Sequence, residues 1–201
     1  MTGLFIAVVG ASGVGKDALL EHARAHLDQD ERFFFPRRVI TRPENLGGES
    51  FDGVEAATFR QMAAEGCFAL AWEAHGLSYG LRREASDALR AGRCVVANVS
   101  RAALRQAAAK FGAVHVIQVT APAEVVAKRL LARGREPEGA LASRYARFNE
   151  VIPPELTVSR IDNGGELQAA RAKFIDLLLR LADRRHGQNA PVGPGNMLAA
   201  Q

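Results

Sequence analysis

The feature that most constrains this chain is a glycine-rich turn directly after an apolar run near the amino terminus. Residues Leu4–Val9 are all apolar, and residues 10–17 follow with the sequence GASGVGKD, a match to the pattern G-x-x-x-x-G-K. A continuous apolar run is typical of a strand buried on both faces of a parallel sheet. Apolar residues then recur at helical spacing over residues 17–27. The sequence therefore predicts a strand, a glycine-rich turn and a helix, in that order.

Such a turn is suited to holding a chain of phosphates. Its glycines let successive backbone N–H groups point inward around an anion, and the N-terminus of the following helix adds its positive end. Lys16 would reach the β- and γ-phosphate oxygens of a nucleoside triphosphate. The predicted nucleotide-binding residues of the turn are Gly10, Ala11, Ser12, Gly13, Val14, Gly15, Lys16 and Asp17.

Asp17 departs from the usual pattern, in which Ser or Thr follows the lysine. That hydroxyl is normally a neutral ligand of Mg²⁺. A carboxylate can still hold the ion, directly or through water, but it adds a negative charge close to the triphosphate. We therefore expect Asp17 to be a Mg²⁺ ligand, and the metal dependence to be stronger than with a hydroxyl.

The composition excludes several other classes of protein. A chain of 201 residues with 48% hydrophobic and 24% charged residues is typical of a one-domain soluble protein. Its apolar runs are far shorter than the ~20 residues of a membrane span, and its start lacks the basic segment of a secretory signal. We therefore expect it in the cytoplasm. Cys67 and Cys94 lack the spacing of metal ligands and are expected to be buried thiols.

The net charge of +4 is carried mainly by arginine, which accounts for 22 of the 26 basic residues. These arginines are scattered, without a basic tail or a stripe interleaved with aromatic residues, so no nucleic-acid partner is expected. The distribution fits either codon bias or the binding of small, multiply charged phosphates, and composition does not decide between them. The oligomeric state stays open, a homodimer included.

The rest of the chain alternates between strand and helix patterns. Predicted strands are residues 38–41, 94–98, 114–120 and 156–161, and predicted helices are residues 56–65, 83–91, 101–111, 122–133 and 166–185. This alternation predicts an α/β fold with a mostly parallel sheet and helices on both faces. It lapses between Pro43 and Tyr79, which predicts an inserted substrate lobe over about residues 43–80. One domain would span residues 1–185, followed by a disordered tail over residues 186–201.

Five segments carry a resemblance to a known group of enzymes. GASGVGKDALL, VITRP, GCFALAWEAHGLSYGL, RLLARGRE and IDNGGEL resemble the guanylate-kinase-like branch of the P-loop kinases over about residues 4–180. The GKD variant of the loop, TRP with a following GGE, and AHGLSYG most resemble the ribose 1,5-bisphosphate phosphokinases. The resemblance implies a guanylate-kinase-like fold with ATP and Mg²⁺ as cofactors. It also implies transfer of the γ-phosphoryl group to the 1-phosphate of α-D-ribose 1,5-bisphosphate, which forms 5-phospho-α-D-ribose 1-diphosphate in phosphonate catabolism.

The main alternative is a guanylate kinase or another nucleoside monophosphate kinase. In the guanylate-kinase pattern a glutamate accepts hydrogen bonds from guanine at the position of Leu70, and Trp72 lies one place later than that pattern expects. Losing such polar pairing can cost ~10⁴–10⁵ in discrimination. The acidic pair that follows a later strand is replaced by Asn98 and Ser100, whose neutral side chains suit sugar hydroxyls. The pattern therefore favours a phosphorylated sugar over a nucleotide as acceptor.

The resemblance also implies roles for residues around the acceptor. Arg42 and Tyr79 match residues that hold the acceptor phosphate in the family, and Arg38 points the same way as Arg42 only if its strand stays regular. Glu73 and His75 lie in the same lobe and could bind ribose hydroxyls. The predicted substrate-binding residues are Arg42, Glu73, His75, Tyr79, Asn98, Ser100 and Arg147.

A lid is expected over about residues 133–147, where arginines flank a glycine-containing hinge. Lys16, Arg133 and Arg144 are predicted to act on the transferring phosphoryl group, and Arg135 on the nucleotide. Asn163 matches the family's residue at the adenine edge. The four lid arginines and Lys16 argue against another alternative, a kinase-like domain that has lost catalysis and binds proteins. No general base is expected, because the acceptor is already an ionised phosphate.

Overall fold

A five-stranded parallel sheet forms the centre of the fold. The computed structural model of this chain describes residues 3–43, 50–132 and 151–188. Numbered along the chain, the strands of this sheet are β1 (Leu4–Val9), β2 (Phe33–Phe34), β7 (Cys94–Asn98), β8 (Val114–Thr120) and β9 (Thr157–Asp162). They lie in the order β2-β7-β1-β8-β9, and every neighbouring pair is parallel. Because β1 is central and covered on both faces, all of its positions are apolar.

The other four strands form a second, smaller sheet. They are β3 (Arg38–Ile40), β4 (Phe51–Gly53), β5 (Phe68–Ala74) and β6 (Leu77–Arg82), in the order β4-β3-β6-β5. β3 and β4 are parallel, whereas the other neighbouring pairs are antiparallel. β4, β5 and most of β6 fall within the lobe predicted over about residues 43–80, but β3 precedes it, so the strand predicted over residues 38–41 belongs to this second sheet and not to the large parallel one. The insert thus has strand pairing of its own, and its role in binding substrate stays a prediction.

Six helices complete the described part of the chain: α1 (Lys16–His26), α2 (Ala56–Ala64), α3 (Glu84–Arg90), α4 (Leu104–Phe111), α5 (Ala123–Ala132) and α6 (Leu167–Gln188). Side chains of α1, α5 and α6 form one apolar core with Ile6 and Val8 of β1. Side chains of α3 and α4 form another core with Phe5 and Ala7. Successive strand residues point to opposite faces, so β1 supplies both cores. The predicted α/β fold, with helices on both faces of a parallel sheet, is confirmed.

The boundaries of several elements differ from the sequence-based expectation. The predicted helix over residues 101–111 begins as a 3₁₀ turn, Arg101–Ala103, and becomes α-helical at Leu104. The last helix extends through Gln188, so residues 186–188 are helical and the expected tail does not begin at residue 186. A single glycine near a helix end costs only about 1 kcal/mol, which is too little to stop the helix. The remaining tail, residues 189–201, and the predicted lid lie outside the described residues.

The described residues contain neither a membrane-spanning helix nor a disulfide. Within residues 3–43, 50–132 and 151–188, no helix is both long and apolar enough to cross a bilayer. Cys94 is buried in β7 and Cys67 is half-buried, and both are free thiols. Burial raises the pKa of the Cys94 thiol to about 11. Cys94 is therefore the buried thiol that was expected, whereas Cys67 is partly accessible.

Candidate active site

The glycine-rich turn joins β1 to α1 at the carboxyl edge of the large sheet. Gly15, immediately before α1, has φ 92°, a left-handed conformation that L side chains rarely adopt. A Cβ atom at Gly15 would also lie 2.3 Å from Nδ2 of Asn163. The backbone here therefore requires glycine for both its dihedral angle and its packing. Both requirements agree with a loop whose backbone is shaped to hold an anion.

Lys16 lies across the mouth of this loop. Its Nζ donates hydrogen bonds to the carbonyl oxygens of Gly10, at 2.7 Å, and Ala11, at 3.1 Å. The ammonium group is thereby held beside the first residues of the loop and not directed away into solvent. A phosphate in the loop would lie within reach of this cation, as the sequence predicts.

Two side chains support the loop from beneath. Nδ2 of Asn163 donates to the carbonyl of Val14 at 2.7 Å, and Nη1 of Arg129 approaches the same oxygen at 3.4 Å. The backbone N–H of Asn163 donates to Thr120 at the end of β8, and the residue is 1% exposed. Asn163 thus ties β8 and β9 to the phosphate loop. Its Oδ1 has no hydrogen-bond partner among the described residues and is covered, so its predicted contact with adenine stays a prediction.

Asp17 and Asn98 meet beside the loop. Asn98 is the last residue of β7, and its register opposite Val8 places it at the same sheet edge as the phosphate loop. Its Nδ2 donates to Oδ1 of Asp17 at 3.0 Å. A predicted metal ligand and a predicted substrate residue therefore form one hydrogen-bonded pair.

A cavity of about 290 Å³, here called the transfer cavity, lies between the phosphate loop and the second sheet. The phosphate loop contributes its first three residues, and the second sheet contributes residues near the β5–β6 turn. Several predicted site residues meet in this one space. Those lining it are Gly10, Ala11, Ser12, Arg42, His75, Tyr79 and Ser100, together with Arg101, which the sequence pattern did not indicate.

Aromatic rings hold the two predicted acceptor residues in place. The guanidinium of Arg42 lies 4.5 Å from the ring centroid of Phe51. The Tyr79 ring stacks on Trp72 with centroids 5.5 Å apart, and the guanidinium of Arg38 lies 5.2 Å from the Tyr79 centroid. Cation–π contacts and ring stacking fix side-chain orientation. These contacts orient the side chains of Arg42 and Tyr79.

A second cavity of about 120 Å³, here called the flanking cavity, lies between α1 and the start of β3. Asp17, Arg24, Arg38 and Asn98 contribute to its walls. Nη2 of Arg24 donates to the carbonyl of Phe35 at 3.1 Å, which fixes this side chain. β3 ends at Ile40, so the strand does not continue regularly from Arg38 to Arg42. Arg38 accordingly lines the flanking cavity, whereas Arg42 lines the transfer cavity.

The structure does not place every predicted residue at the site. Glu73 is exposed and lines neither cavity, so the structure does not bring it to the other predicted residues, and its contact with ribose hydroxyls stays a prediction. In β5 the neighbouring Trp72 faces the packed side, and alternation turns Glu73 the other way. The four predicted lid arginines, Arg133, Arg135, Arg144 and Arg147, lie outside the described residues.

Three arginines near the site were not singled out as site residues from sequence, and each carried a local signal. Arg129 lies on the predicted helix four residues before Arg133, a spacing that places both on one helical face. Arg101 comes three residues after the end of a predicted strand, and ligands bind beyond the carboxyl ends of parallel strands. Arg24 lies in the first predicted helix, seven residues after Asp17 and thus on the same face.

Comparisons with known proteins give the family. No protein-family model matches the chain. Ribose 1,5-bisphosphate phosphokinase PhnN of Brucella melitensis is 42% identical over 180 residues, which cover 90% of this chain and 94% of that protein. PhnN of Rhizobium etli is 44% identical over 176 residues, covering 88% and 89%. A bifunctional ribose 1,5-bisphosphokinase-thymidine phosphorylase of Cupriavidus necator is 42% identical over 198 residues, but this chain spans only 32% of its length.

Solved structures of lower identity show the fold. A guanylate kinase from Anaplasma phagocytophilum matches with a TM-score of 0.59 and 16% identity, covering 90% of this chain and 86% of that one. A gluconokinase from Sinorhizobium meliloti matches with a TM-score of 0.53 and 18% identity, covering 93% and 97%. The fold is that of the P-loop kinases, with guanylate kinase among its structural neighbours. The matches to PhnN proteins over nearly their whole length are more specific, and by them this chain belongs to the ribose 1,5-bisphosphate phosphokinase family.

Proposed function

We propose that this chain transfers the γ-phosphoryl group of ATP to the 1-phosphate of α-D-ribose 1,5-bisphosphate, forming ADP and 5-phospho-α-D-ribose 1-diphosphate. The observation that carries the proposal is the composition of the transfer cavity. It joins the first residues of the phosphate loop to Arg42 and Tyr79, so a donor phosphate and an anionic acceptor would share one space. The names of the relatives support the same reaction, which we place in phosphonate catabolism. We expect the enzyme to act in the cytoplasm.

The surroundings of the acceptor support a sugar over a purine. Leu70 stands where guanylate kinases carry the base-binding glutamate, and it is 0% exposed and packed in the core beneath β5. It lines neither cavity and offers no acceptor to the N–H groups of guanine. Trp72, which is 7% exposed, stacks on Tyr79. A guanine base would therefore lose the polar pairing on which guanylate kinases depend.

The arginines are distributed as a doubly phosphorylated ligand would require. Arg42 and Arg101 line the transfer cavity, while Arg24 and Arg38 line the flanking cavity. The Arg38–Tyr79 contact joins the walls of the two cavities. Planar guanidinium groups bind phosphate oxygens in pairs, which lysine does not do. We assign the 1-phosphate to the transfer cavity and the 5-phosphate to the flanking cavity.

The reaction depends on alignment and charge neutralisation. The 1-phosphate monoester is largely a dianion at neutral pH, since its second pKa is about 6. One of its oxygens attacks the γ-phosphorus, and the bond from that phosphorus to the bridging β-oxygen breaks, releasing ADP. Lys16 stabilises the transferring group, while Arg42 and Tyr79 hold the acceptor in line. No proton has to be removed, so no general base is required.

Mg²⁺ fits the residues beside the loop. Asp17 would hold the ion directly or through water, with Asn98 fixing the carboxylate. The described residues contain no group of three or more His, Cys, Asp or Glu side chains arranged as a metal site. Proteins usually bind Mg²⁺ through one or two carboxylates together with substrate phosphates, and Asp17 would supply one such carboxylate. When bound, the ion neutralises charge on the β- and γ-phosphates. The lid arginines Arg133, Arg135 and Arg144 would add to this neutralisation, and Arg147 would contact the acceptor.

The product identifies the reaction. The chain is incubated with ATP, Mg²⁺ and ribose 1,5-bisphosphate, and the products are followed by ³¹P NMR. The proposal predicts two coupled diphosphate signals from C1 and an unchanged monoester signal from C5. A diphosphate at C5, or no consumption of the sugar by an enzyme that binds ATP, would contradict it. The Lys16→Ala variant serves as the control for a contaminating kinase.

A further inference from the structure

The Asp17–Asn98 pair combines one charged and one neutral side chain across a single hydrogen bond. Nδ2 of Asn98 donates to Oδ1 of Asp17 at 3.0 Å, and Asn98 is 9% exposed. An ionised carboxylate only accepts hydrogen bonds, so the amide must present its NH₂ group to Asp17. The orientation of both side chains is therefore fixed by their chemistry as well as by packing.

The position of each residue matches one of the two Mg²⁺-binding positions of P-loop enzymes, but the chemistry is reversed. Such enzymes usually carry a hydroxyl directly after the loop lysine and a carboxylate at the end of another strand. Here the carboxylate of Asp17 follows Lys16, and the neutral amide of Asn98 ends β7 beside β1. The two positions together keep one negative charge and one neutral polar group.

We propose that Asp17 and Asn98 are an exchanged pair, in which Asp17 supplies the single carboxylate that holds the Mg²⁺-nucleotide and Asn98 orients it. The site needs one carboxylate within this pair, and either position can carry it. Two carboxylates at this separation would repel each other unless a cation lay between them, and two neutral groups would leave the ion without a charged ligand. The inference rests on the proposed use of ATP and deepens it.

Four variants test the exchange: Asp17→Ser, the isosteric Asp17→Asn, Asn98→Asp, and the double variant Asp17→Ser/Asn98→Asp. Isothermal titration calorimetry measures the affinity for ADP with and without saturating Mg²⁺, in the absence of any acceptor. The ratio of the two affinities reports the contribution of the ion. Melting temperatures measured without nucleotide show whether each variant is folded.

Both single variants at Asp17 should reduce the Mg²⁺-dependent gain in ADP affinity by about 10–100-fold. Asn98→Asp alone should weaken ADP binding without Mg²⁺, since the nucleotide then meets two carboxylates. The double variant should recover most of the Mg²⁺-dependent gain, because it restores one carboxylate and one neutral group. This recovery is the distinctive result, since removal of two merely structural contacts would give a double variant worse than either single one.

A double variant no better than Asp17→Ser would overturn the exchange, and so would an Asp17→Asn variant that keeps the full Mg²⁺-dependent gain. Should Asp17→Ser fail to fold, the isosteric Asp17→Asn variant decides the ligand role and its combination with Asn98→Asp decides the exchange. A chain that shows the recovery in ADP binding but makes no diphosphate from the sugar would sustain the exchange and contradict the proposed acceptor. The two failures are therefore distinguishable.

Discussion

The glycine before the loop lysine offers a quantitative test of how the phosphate loop is held. Gly15→Ala introduces a side chain at φ 92° and places its Cβ 2.3 Å from Nδ2 of Asn163. The left-handed conformation costs an L residue about 1–2 kcal/mol. Displacing Asn163 from the Val14 carbonyl leaves buried polar groups unpaired, at about 1–3 kcal/mol. The expected loss in the free energy of unfolding is therefore about 2–5 kcal/mol.

Two matched variants separate these contributions. Gly76→Ala meets the dihedral cost alone, since Gly76 has φ 73° and a Cβ there would contact nothing within 4 Å. Gly165→Ala meets neither cost, because its Cβ would lie in open space and its φ is not in the left-handed region. Urea unfolding followed by tryptophan fluorescence and circular dichroism gives the free energy of each variant. A Gly15→Ala variant no less stable than Gly76→Ala would refute the packing argument.

The remaining predictions concern the phosphate contacts and pH. Lys16→Ala should abolish turnover with only a small loss of stability, because its side chain bonds loop carbonyls and lies outside the buried core; steady-state kinetics and urea unfolding together check this. Arg42→Lys should lower kcat/KM for the sugar by about 10–100-fold, since one paired hydrogen bond to a charged group contributes about 1.5–3 kcal/mol. Arg37→Lys, at an exposed arginine, is the control. An equal loss of kcat/KM in that control would contradict the role of Arg42. Burial lowers the pKa of His115, whose Nε2 lies 2.9 Å from Oγ of Ser159. As the pH falls, the unfolded chain therefore protonates at His115 before the folded chain does. The buried neutral His115 contributes fully to the free energy of unfolding above about pH 6.5, and this contribution declines as the pH falls through the folded pKa. Urea unfolding between pH 7.5 and 5.5 should show a smaller decline for His115→Gln than for the unsubstituted chain, and equal declines would rule out this source of pH dependence.

The large sheet could be predicted from sequence because its strands are continuous apolar runs. Residues 94–98 and 114–120 form strands at their predicted boundaries, and the phosphate loop follows β1 as expected. Burial on both faces makes such strands apolar at every position, a signal that does not depend on the partner strand. Local pattern and final structure agree here for that reason.

The second sheet could not be predicted in the same way. The strand predicted over residues 38–41 forms β3, but β4 has only three residues, too few for a periodic pattern. β3 pairs with β6, so that Val39 lies opposite Gly80, a contact between segments far apart in the chain. Pairing of this kind decides which strand face is covered. It explains why Glu73, in a segment that carries the family resemblance, is nevertheless turned away from both cavities.

The candidate site was predictable where it depends on local sequence and not where it depends on contacts between distant segments. Gly10, Ala11, Ser12 and Arg42, which local motifs indicated, meet at the transfer cavity, and their contacts with ligand stay predictions. Asn163 and Arg129 bind the carbonyl of Val14, which lies more than a hundred positions away in the chain. The local sequence around either residue does not indicate this contact with the loop. The Asp17–Asn98 hydrogen bond likewise appears only when β7 is placed beside β1.

The acceptor preference is the central claim, and one paired measurement tests it most directly. ADP release is followed with ribose 1,5-bisphosphate and with guanosine monophosphate as acceptors, in the same enzyme preparation and at the same ATP and Mg²⁺ concentrations. A purine without polar partners should be a poor acceptor, so kcat/KM for the sugar should exceed that for the nucleotide by at least about 10⁴-fold. Comparable values, or a preference for guanosine monophosphate, would contradict the account.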